Sequence, residues 1–436
     1  MQLYQDLFYD DHITALCSGE RFVVLMVEVE LSLVKAQTQC GIIPVDKAAI
    51  IEHVWSDFQP DIEALAQAIP LTGNAAAPLV KQLTSAVGKE DPEAAKFVHL
   101  GATSQDIVDT ATMLKVKLFV DWLESEMATA IKHLRALSLR YRHTPMIGRT
   151  LMQQARPVTF GLKTAYWLQS LQQVVNHFQS IKKQVLVIQL GGAVGSRNAF
   201  LTKAVQQSFA TQTGLAYSPA WHTNRVPINI FASCLGILLG SLGKIAQDVI
   251  FMAQTEVGEV AEPAQQGRGT SSTMPHKRNP ILSTAIMANT QRAPFLLASL
   301  LGAMPQAYER AAGNWHAEWE TLDQLMGLAG GAIRHSNELL AGLEVNEARM
   351  RQNIELTQGF IFAETVALAM ASVLGKTKSY ELVKVACTQA QQSDKHLHEV
   401  LFAMDLPLSA TELKSCFLAE NAIGHSLEII NEIITE

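Results

Sequence analysis

Apolar residues recur at helical spacing along most of the chain, and the strict alternation typical of a half-buried strand is almost absent. After residue 106, for example, Ile107, Ala111 and Leu114 fall on one helical face. The first long helix is predicted to end before Gly41 and Pro44, because both residues often follow a helix terminus. Long helices are predicted from 107 onward and at 21–39, 157–189, 200–213, 226–258, 280–303, 318–342 and 353–374.

The pattern predicts an all-α fold in which a central bundle of long helices lies between two smaller helical ends. We place an N-terminal helical domain at 1–106, the central bundle at 107–351 and a C-terminal helical domain at 352–436. The stretch 226–243 is nearly free of charge and approaches the roughly 20 residues that cross a bilayer. Because Lys244 continues its helical pattern, we interpret this stretch as the centre of a buried bundle and expect no membrane segment.

The composition narrows the class of protein. The chain has 436 residues, of which 48% are hydrophobic and 17% charged, enough for a large core. A formal net charge of −7 argues against nucleic acid or an anionic membrane as the partner. The five cysteines lack disulfide or zinc-ligand spacing and the first residues lack a secretion signal, which predicts a cytoplasmic protein with reduced thiols. The histidines show no metal-binding spacing, so we expect neither a metal nor another cofactor.

The run from Gly269 to Pro280 lies in a stretch near 262–280 that we expect to be a mobile catalytic loop. Glycines before this run and prolines within it exclude an ordinary helix interior, and small residues let backbone N–H groups turn towards an anion. We expect its cations and carboxamide to hold a carboxylate while a serine exchanges a proton with the neighbouring carbon. The alternative is a polar turn between two helices. The polar groups of the run are Ser271, Ser272, His276, Lys277, Arg278 and Asn279.

A second polar segment, His99 to Asp106, precedes the helix that starts near residue 107. The side chains of Thr103, Ser104 and Gln105, with the free N–H groups of a helix start, would form a seat for a carboxylate. Thr103 and Asp106 also have the spacing of a capping box, so simple capping is a compatible interpretation. A lone histidine such as His99 is more often structural.

A glycine-rich break at 191–195 is a weaker signal. It lacks the preceding strand and the glycine spacing of a dinucleotide site. A tight turn between helices and a backbone contact with substrate are equal alternatives for this segment.

Four segments together resemble the fumarase/aspartase superfamily. Residues 269–280 resemble its signature G-S-S-x-M-P-x-K-x-N-P, with Thr270 in place of a glycine. The segments 99–106, 148–159 and 305–320 resemble three further regions of the superfamily in the same order. The resemblance therefore covers nearly the whole chain.

The resemblance implies an all-α homotetramer whose central helices pack into one bundle and whose active sites combine segments of different subunits. It implies that Ser271 transfers the proton, with Ser272 as the fallback. It also implies that Lys277 and Asn279 bind the carboxylate on which charge develops. Substrate contacts are further expected at His99, Thr103, Ser104, Gln105, Gln153, Met274, His276 and His316.

The third segment departs from the pattern of most lyases of the superfamily. These enzymes have G-R-T-H, with the histidine as the acid for the leaving group, whereas this chain has Gly148-Arg149-Thr150-Leu151. Leucine cannot move a proton, and loss of a general acid lowers the rate about 100- to 10,000-fold. The chain is therefore either an impaired lyase or an enzyme whose reaction needs no second proton transfer.

Closure of a lactone ring by the substrate's own carboxylate is such a reaction. The branch of the superfamily that cyclises 3-carboxymuconate also lacks the histidine, and the runs 221–225 and 308–320 resemble that branch. Its small substrate carries three carboxylates, which arginine forks bind well. Candidate cations beside Lys277 are Arg225, Arg278 and Arg310, with a plain ion pair as an equal alternative for Arg278.

Two other functions compete with this prediction. One is an adenylosuccinate lyase-like elimination that releases fumarate, against which Leu151 argues. The other is a catalytically silent protein that retains a lyase scaffold, against which the intact Ser271, Lys277 and Asn279 argue.

Overall fold

The computed structural model describes residues 3–271 and 273–435 of the chain. The chain is 68% helical, with a few short strands, which confirms the predicted all-α class. Within the described residues the helices are α1 (Gln5–Phe8), α2 (Asp11–Leu16), α3 (Gly19–Gln39), α4 (Val45–Ser56), α5 (Ile62–Thr72), α6 (Ala76–Glu90), α7 (Ser104–Arg140), α8 (Phe160–Val185), α9 (Lys203–Thr213), α10 (Val226–Met252), α11 (Ile281–Ala303), α12 (Asn314–Ala341), α13 (Glu347–Glu355), α14 (Ala363–Leu374), α15 (Lys376–Ser393), α16 (Leu397–Phe402), α17 (Ala410–Cys416), α18 (Ala419–Ala422) and α19 (Ser426–Thr435). Short 3-10 helices cover Ala94–Phe97 and Phe360–Phe362, and the strands are β1 (Pro145–Thr150), β2 (Gln153–Thr159), β3 (Val260–Ala261) and β4 (Glu344–Val345).

The chain divides into two compact units. The first comprises Met1–Met127, Val174–Gly240 and Ala288–Arg334, and the second comprises Ala128–Gln173, Ser241–Met287 and His335–Glu436. The three-domain division by sequence stays a prediction.

In the first unit, α3 packs against α9 and lies beside α4. Its start is capped by Ser18, whose Oγ accepts the Arg21 N–H at 3.1 Å. Its buried face is mostly apolar, but it also contains Glu30 and Gln37, which are fully buried. Buried polar side chains need hydrogen-bond partners, so these two residues are expected to bind and position neighbouring segments.

The apolar stretch predicted at 226–258 forms α10, which ends six residues earlier than predicted, at Met252. Among the described residues α10 is the single helix that passes a length and composition test for crossing a membrane by itself. Of its most apolar window of 18 residues, 61% is buried inside the structure, as in the core helix of a globular protein. A bent pair, Glu347–Glu355 with Phe360–Leu374, passes the same test jointly but is bent by 87°.

The prediction of one continuous helix at 353–374 is therefore wrong. Helix α13 ends at Glu355, and α14 starts only at Ala363. Between them Gln358 and Gly359 have positive φ values of 49° and 83°, which a right-handed helix cannot accommodate. A side chain at Gly359 would strike the ring of His396, so glycine is required at this close approach.

Residues 145–159 form an antiparallel hairpin. The helix predicted to start at 157 starts after this hairpin, at Phe160. Pro145 pairs with Thr159 and Thr150 with Gln153, and the register shifts between Ile147 and Arg149. The hairpin belongs to the second unit, where it contacts α13, α18 and the 3-10 helix at Phe360–Phe362. The C-terminal helices of this unit pack around Val366, Met370, Val383, Leu397 and Leu401.

Candidate active site

A fully buried carboxylate organises the start of α7 in the first unit. Asp106 accepts the backbone N–H groups of Gly191 and Gly192, both at 2.8 Å. It also accepts Nε2 of Gln189 at 3.1 Å and lies 2.9 Å from Nε2 of His222. These five residues, here called the Asp106 cluster, join three polar segments that the sequence had marked separately. A single ionised carboxylate that accepts several hydrogen bonds is a strong local organiser.

The glycine-rich break at 191–195 is therefore a tight turn around this carboxylate. Its first two N–H groups are occupied by Asp106. A Cβ at Gly191 would lie only 2.5 Å from Cβ of Ala220 and 2.9 Å from Cα of Gly195. Close packing and internal hydrogen bonding explain the glycines, and of the two alternatives the tight turn fits this geometry.

Thr103 connects the cluster to Arg310. Its N–H donates to Asp106 at 3.1 Å, which is one half of the predicted capping box. Its hydroxyl instead accepts Nη2 of Arg310 at 2.6 Å, and the same nitrogen reaches the Ala193 carbonyl at 3.1 Å. Within the described residues the buried Nε of Arg310 has no partner. The guanidinium therefore retains an unused N–H donor, which is closed to solvent in this conformation.

His99 lies on the same segment in a left-handed conformation, with φ of 58°. Its Nδ1 is 2.6 Å from Oε1 of the fully buried Glu30. Burial alone would lower the pKa of the His99 imidazole, but the nearby Glu30 carboxylate raises it above its ordinary value. The pair favours a charged imidazole beside the start of α7.

Arg225 does not fit its predicted role as a substrate-binding cation. Its guanidinium is buried and pairs with Asp109 at 2.7 Å and with Glu318 at 2.6 Å, and it also reaches the His222 carbonyl. The ring of Trp221 lies against its face, 4.7 Å from the guanidinium carbon. All three nitrogens already donate to protein acceptors, so the contact predicted for Arg225 is corrected to an internal ion-pair network.

The remaining predicted residues of the first unit have different surroundings. Gln105 is fully buried, and its Nε2 donates to Asp109 at 3.1 Å and to the His222 carbonyl at 2.9 Å. Ser104 is half-buried as the first residue of α7. His316 lies with Nε2 3.0 Å from the Gly73 carbonyl. Of the three, His316 is exposed and Ser104 half-buried, whereas Gln105 is closed to a ligand.

The predicted catalytic loop lies in the second unit. Oγ of Ser271 accepts the N–H groups of Met274 at 3.1 Å and Thr273 at 3.3 Å. Such donors stabilise a serine alkoxide, as the proton-transfer hypothesis requires. Ser272, the fallback, lies outside the described residues.

Two consecutive residues close the base of this loop. Asn279 donates both its backbone N–H (2.9 Å) and its Nδ2 (3.1 Å) to the Gly269 carbonyl. Arg278 forms a two-pronged ion pair with Glu344 at 2.9 and 3.0 Å and donates to the Glu262 carbonyl. For Arg278 this geometry matches the ion-pair alternative. The Asn279 amide is already engaged in holding the loop.

An open cleft of ≈ 880 Å³ lies along the loop. It is lined by cations from Arg268, Lys277 and Arg278 and by one carboxylate, from Glu262. Arg268 pairs with Glu338 and Arg278 with Glu344, whereas Lys277 has no acidic partner among the described residues. Met274 and His276 are exposed along the same cleft, and Ser271 immediately follows its lining residue Thr270. Position 271 is therefore adjacent to a positively lined cavity.

The third segment forms the tip of the β1–β2 hairpin. Arg149 makes a two-pronged pair with the buried Glu259, at 2.7 and 2.9 Å, which fixes the base of the tip. Leu151 and Met152 are the two turn residues, with φ of 48° and 66°. Leu151 is 97% exposed and Met152 66%, and Gln153 is exposed beside them. The tip is thus both strained and apolar.

Sequence reasoning missed the acids that hold the site. Glu30, Asp109, Glu259 and Glu318 each pair with a residue that the motifs had singled out. The available signal was an acidic residue inside an apolar helical pattern, as at Glu30 in α3. In the described part of the chain no group of three or more His, Cys, Asp or Glu side chains has the geometry of a metal site.

The fold and site together define an enzyme of the lyase type, an all-α chain with a serine loop and an anion seat at a helix start. A family model described as Lyase matches residues 12–294, and one described as Adenylosuccinate lyase C-terminus matches residues 359–433. The chain belongs to this lyase family, the fumarase/aspartase superfamily. The predicted superfamily is confirmed.

Individual relatives narrow the similarity further. The chain is 40% identical to 3-carboxy-cis,cis-muconate cycloisomerase of Acinetobacter baylyi, over 100% of this chain and 98% of that enzyme. The crystal structure of β-carboxy-cis,cis-muconate cycloisomerase from Acinetobacter calcoaceticus matches with a TM-score of 0.93 at 37% identity, over 100% of both chains. A nitrosuccinate lyase of Streptomyces davaonensis is 39% identical over 97% of this chain and 92% of its own length.

Proposed function

We propose that the protein is a lactonising cycloisomerase that converts 3-carboxy-cis,cis-muconate to 4-carboxymuconolactone. The observation that carries the proposal is the combination of one proton-transfer group, Ser271, with leucine at position 151. Sequence identity of about 40% over the full length to enzymes of that name supports it.

The lactonisation takes up one proton in total. A carboxylate oxygen of the substrate forms a C–O bond to a carbon of the double bond, and the π electrons move towards the neighbouring carboxylate. The carbon next to that carboxylate takes a proton from Ser271, and solvent later returns a proton to the serine. The nucleophile is already ionised and attached, so no leaving group needs an acid. Leucine at position 151 therefore does not lower the rate of this reaction.

The charge that develops on the carboxylate oxygens sets the remaining requirements. One preorganised donor aimed at such charge contributes about 3 kcal/mol. Lys277, which has no acidic partner in the described residues, supplies a cation from the loop. Arg310, whose buried Nε has no partner within the described residues, and the start of α7 supply donors in the first unit. The other proposed substrate contacts are His99, Thr103, Ser104, Gln105, Gln153, Ser272, Met274, His276, Asn279 and His316.

We further propose a cytoplasmic homotetramer in which each active site combines segments of different copies. Apolar side chains on long helices support an assembly, since Phe295 on α11 is 77% exposed and Ile237 on α10 is 52% exposed. The exposed hairpin tip at Leu151 points the same way. Four chains of 47.7 kDa give a mass of about 191 kDa by light scattering.

A second candidate is an elimination that releases a dicarboxylate. The match of residues 359–433 to the adenylosuccinate lyase C-terminus and the similarity to a nitrosuccinate lyase favour it. An elimination whose leaving group departs as a stable anion also needs no acid at position 151.

The deciding experiment uses purified protein with 3-carboxy-cis,cis-muconate, adenylosuccinate and nitrosuccinate in parallel. The proposal expects loss of the diene absorbance with the first substrate and formation of the lactone, identified by NMR. Ser271→Ala serves as the matched inactive control. An unchanged diene spectrum at high enzyme concentration, with ordinary turnover of either other substrate, would replace the proposal by the elimination. Inertness towards all three favours the silent scaffold.

A further inference from the structure

Two buried polar residues of α3 hold the segment that carries His99. Glu30 and Gln37 are seven residues apart, which is two helical turns, so they lie on one face of α3. Oε1 of Glu30 lies 2.6 Å from Nδ1 of His99. Nε2 of Gln37 donates to the Leu100 carbonyl at 2.8 Å and to the Phe200 carbonyl at 3.1 Å. α3 therefore sets both the backbone and the ring of this segment.

We propose that Glu30 is a positioning residue for the reaction: it fixes a proton on Nδ1 of His99, so that Nε2 meets a substrate carboxylate as a charged donor. This inference deepens the proposed function and rests on it. Within the described residues Nε2 of His99 has no protein partner, and the side chain is 20% exposed. Nε2 is therefore available for a hydrogen bond to a ligand, whereas Nδ1 is already bonded to Glu30.

The cost of this arrangement argues against a passive role. A non-glycine residue in the left-handed region costs about 1 kcal/mol, and His99 has φ of 58°. Glu30 is fully buried, and its second oxygen, Oε2, has no partner in the described part of the chain. Apolar side chains would fill the same space at lower cost. A charged imidazole on His99 is therefore the best explanation for the buried Glu30–His99 pair.

The protonation state of His99 decides the sign of its interaction with a carboxylate. With Nδ1–H held by Glu30, a neutral ring presents a lone pair on Nε2, which repels a carboxylate, whereas the imidazolium presents an N–H donor. The acids that face His99 are Glu30 from α3 and Asp106 from α7. Glu30 raises the pKa of His99 through both its charge and its hydrogen bond, and the charge of Asp106 adds a smaller effect in the same direction. Glu30 is therefore the main acid that maintains the imidazolium.

The test compares Glu30→Gln with Gln37→Leu in the full-length enzyme. In wild type, KM rises as pH rises through the raised pKa of His99, while kcat changes little. In Glu30→Gln this limb moves to lower pH by at least about one unit, a tenfold loss of proton affinity. Gln37→Leu loosens the same segment without a change of charge, so its KM changes by the same factor at every pH. A limb that stays in place in Glu30→Gln overturns the proposal.

NMR of the histidine rings in the resting protein provides a readout that does not depend on turnover. His99→Asn identifies the His99 signal by its loss, and asparagine tolerates the left-handed backbone. The proposal expects the pKa of His99 to fall in Glu30→Gln and expects the pH limb of KM to vanish in His99→Asn. If Glu30→Gln does not fold, the His99 pKa measured in the wild-type protein decides: a value at or below that of an ordinary imidazole overturns the proposal. A His99 pKa that stays within about 0.3 units of wild type rejects the role of Glu30 even in an active cycloisomerase. If no tricarboxylate is turned over, the function fails while this NMR arm still tests the pair.

Discussion

Three arginines predicted to meet the substrate's carboxylates have different partners in the folded chain. Arg225 is buried between Asp109 and Glu318, and Arg278 pairs with Glu344. Among the described residues Arg310 donates to neutral acceptors only, the Thr103 hydroxyl and the Ala193 carbonyl. The sequence motifs could not separate these cases, because the role of a guanidinium depends on acids that are distant along the chain.

Replacement of Arg225 by methionine should act on stability. Removal of one partner of a buried ion pair costs about 3–5 kcal/mol, because Asp109 and Glu318 would be left as unpaired buried carboxylates. Burial already raises the pKa of Glu318, so protonation should relieve part of the loss as pH falls. Denaturant unfolding at two pH values measures both effects.

Arg310→Met is the matched control for this substitution. The Arg310 guanidinium has no acidic partner in the part of the chain that the structure describes, so stability should change by less than about 1 kcal/mol while KM rises. A stable Arg225→Met protein with weakened substrate binding would restore the original interpretation of Arg225.

Ser271→Ala should lower kcat about 100- to 10,000-fold and leave the oligomer intact, since the side chain is half-buried on a loop. The hydroxyl accepts two loop N–H groups, so its removal deletes the group that those donors serve. Steady-state kinetics and light scattering measure the two parts of the prediction. A larger loss in Ser272→Ala than in Ser271→Ala would transfer the proton-donor role to Ser272.

At the scale of elements, hydrophobic periodicity predicted long helices well and interruptions poorly. α10, α11 and α12 were all predicted, because each keeps an apolar pattern over more than twenty residues. The hairpin at 145–159 was not, since its alternation is short and interrupted by a register shift after Ile147. The bend near Gly359 depends on the packing of His396, which is a tertiary contact that no local pattern contains.

Substitution of the two turn residues of the β1–β2 hairpin should raise stability and lower activity. A two-residue turn with positive φ at both positions favours Asn-Gly, so Leu151→Asn with Met152→Gly should raise the melting temperature. Relief of each left-handed residue contributes about 1 kcal/mol. Activity should fall if the apolar tip lines a site, and thermal unfolding with kinetics measures both.

Double alanine substitution at 151 and 152 separates the two effects. Alanine removes the apolar side chains but retains the positive φ values, so activity should fall without a rise in melting temperature. Unchanged kinetics in both double variants would place the tip outside the active site.

At the scale of the whole molecule, the net charge of −7 contrasts with a cleft lined mainly by cations. The net negative charge repels a tricarboxylate, so attraction must come from local cations such as Lys277, which has no acidic partner in the described residues. Net charge alone could not locate a cationic site. Within the described part of the loop, Glu338 and Glu344 pair with Arg268 and Arg278 and leave Lys277 without an acidic partner, and the positions of these acids follow from the fold alone.

Mixing of variants damaged in different segments tests whether each site combines different copies. Ser271→Ala damages the loop, and Arg310→Ala damages the Thr103 seat, so mixed tetramers of these variants should recover activity. For random mixing about one quarter of the sites would contain neither substitution. Ser271→Ala mixed with Lys277→Ala is the control, because both changes lie on one loop and every loop then carries a defect. Recovery in the first mixture but not the second requires that loop and seat come from different chains, whereas failure of both means that one chain supplies the whole site.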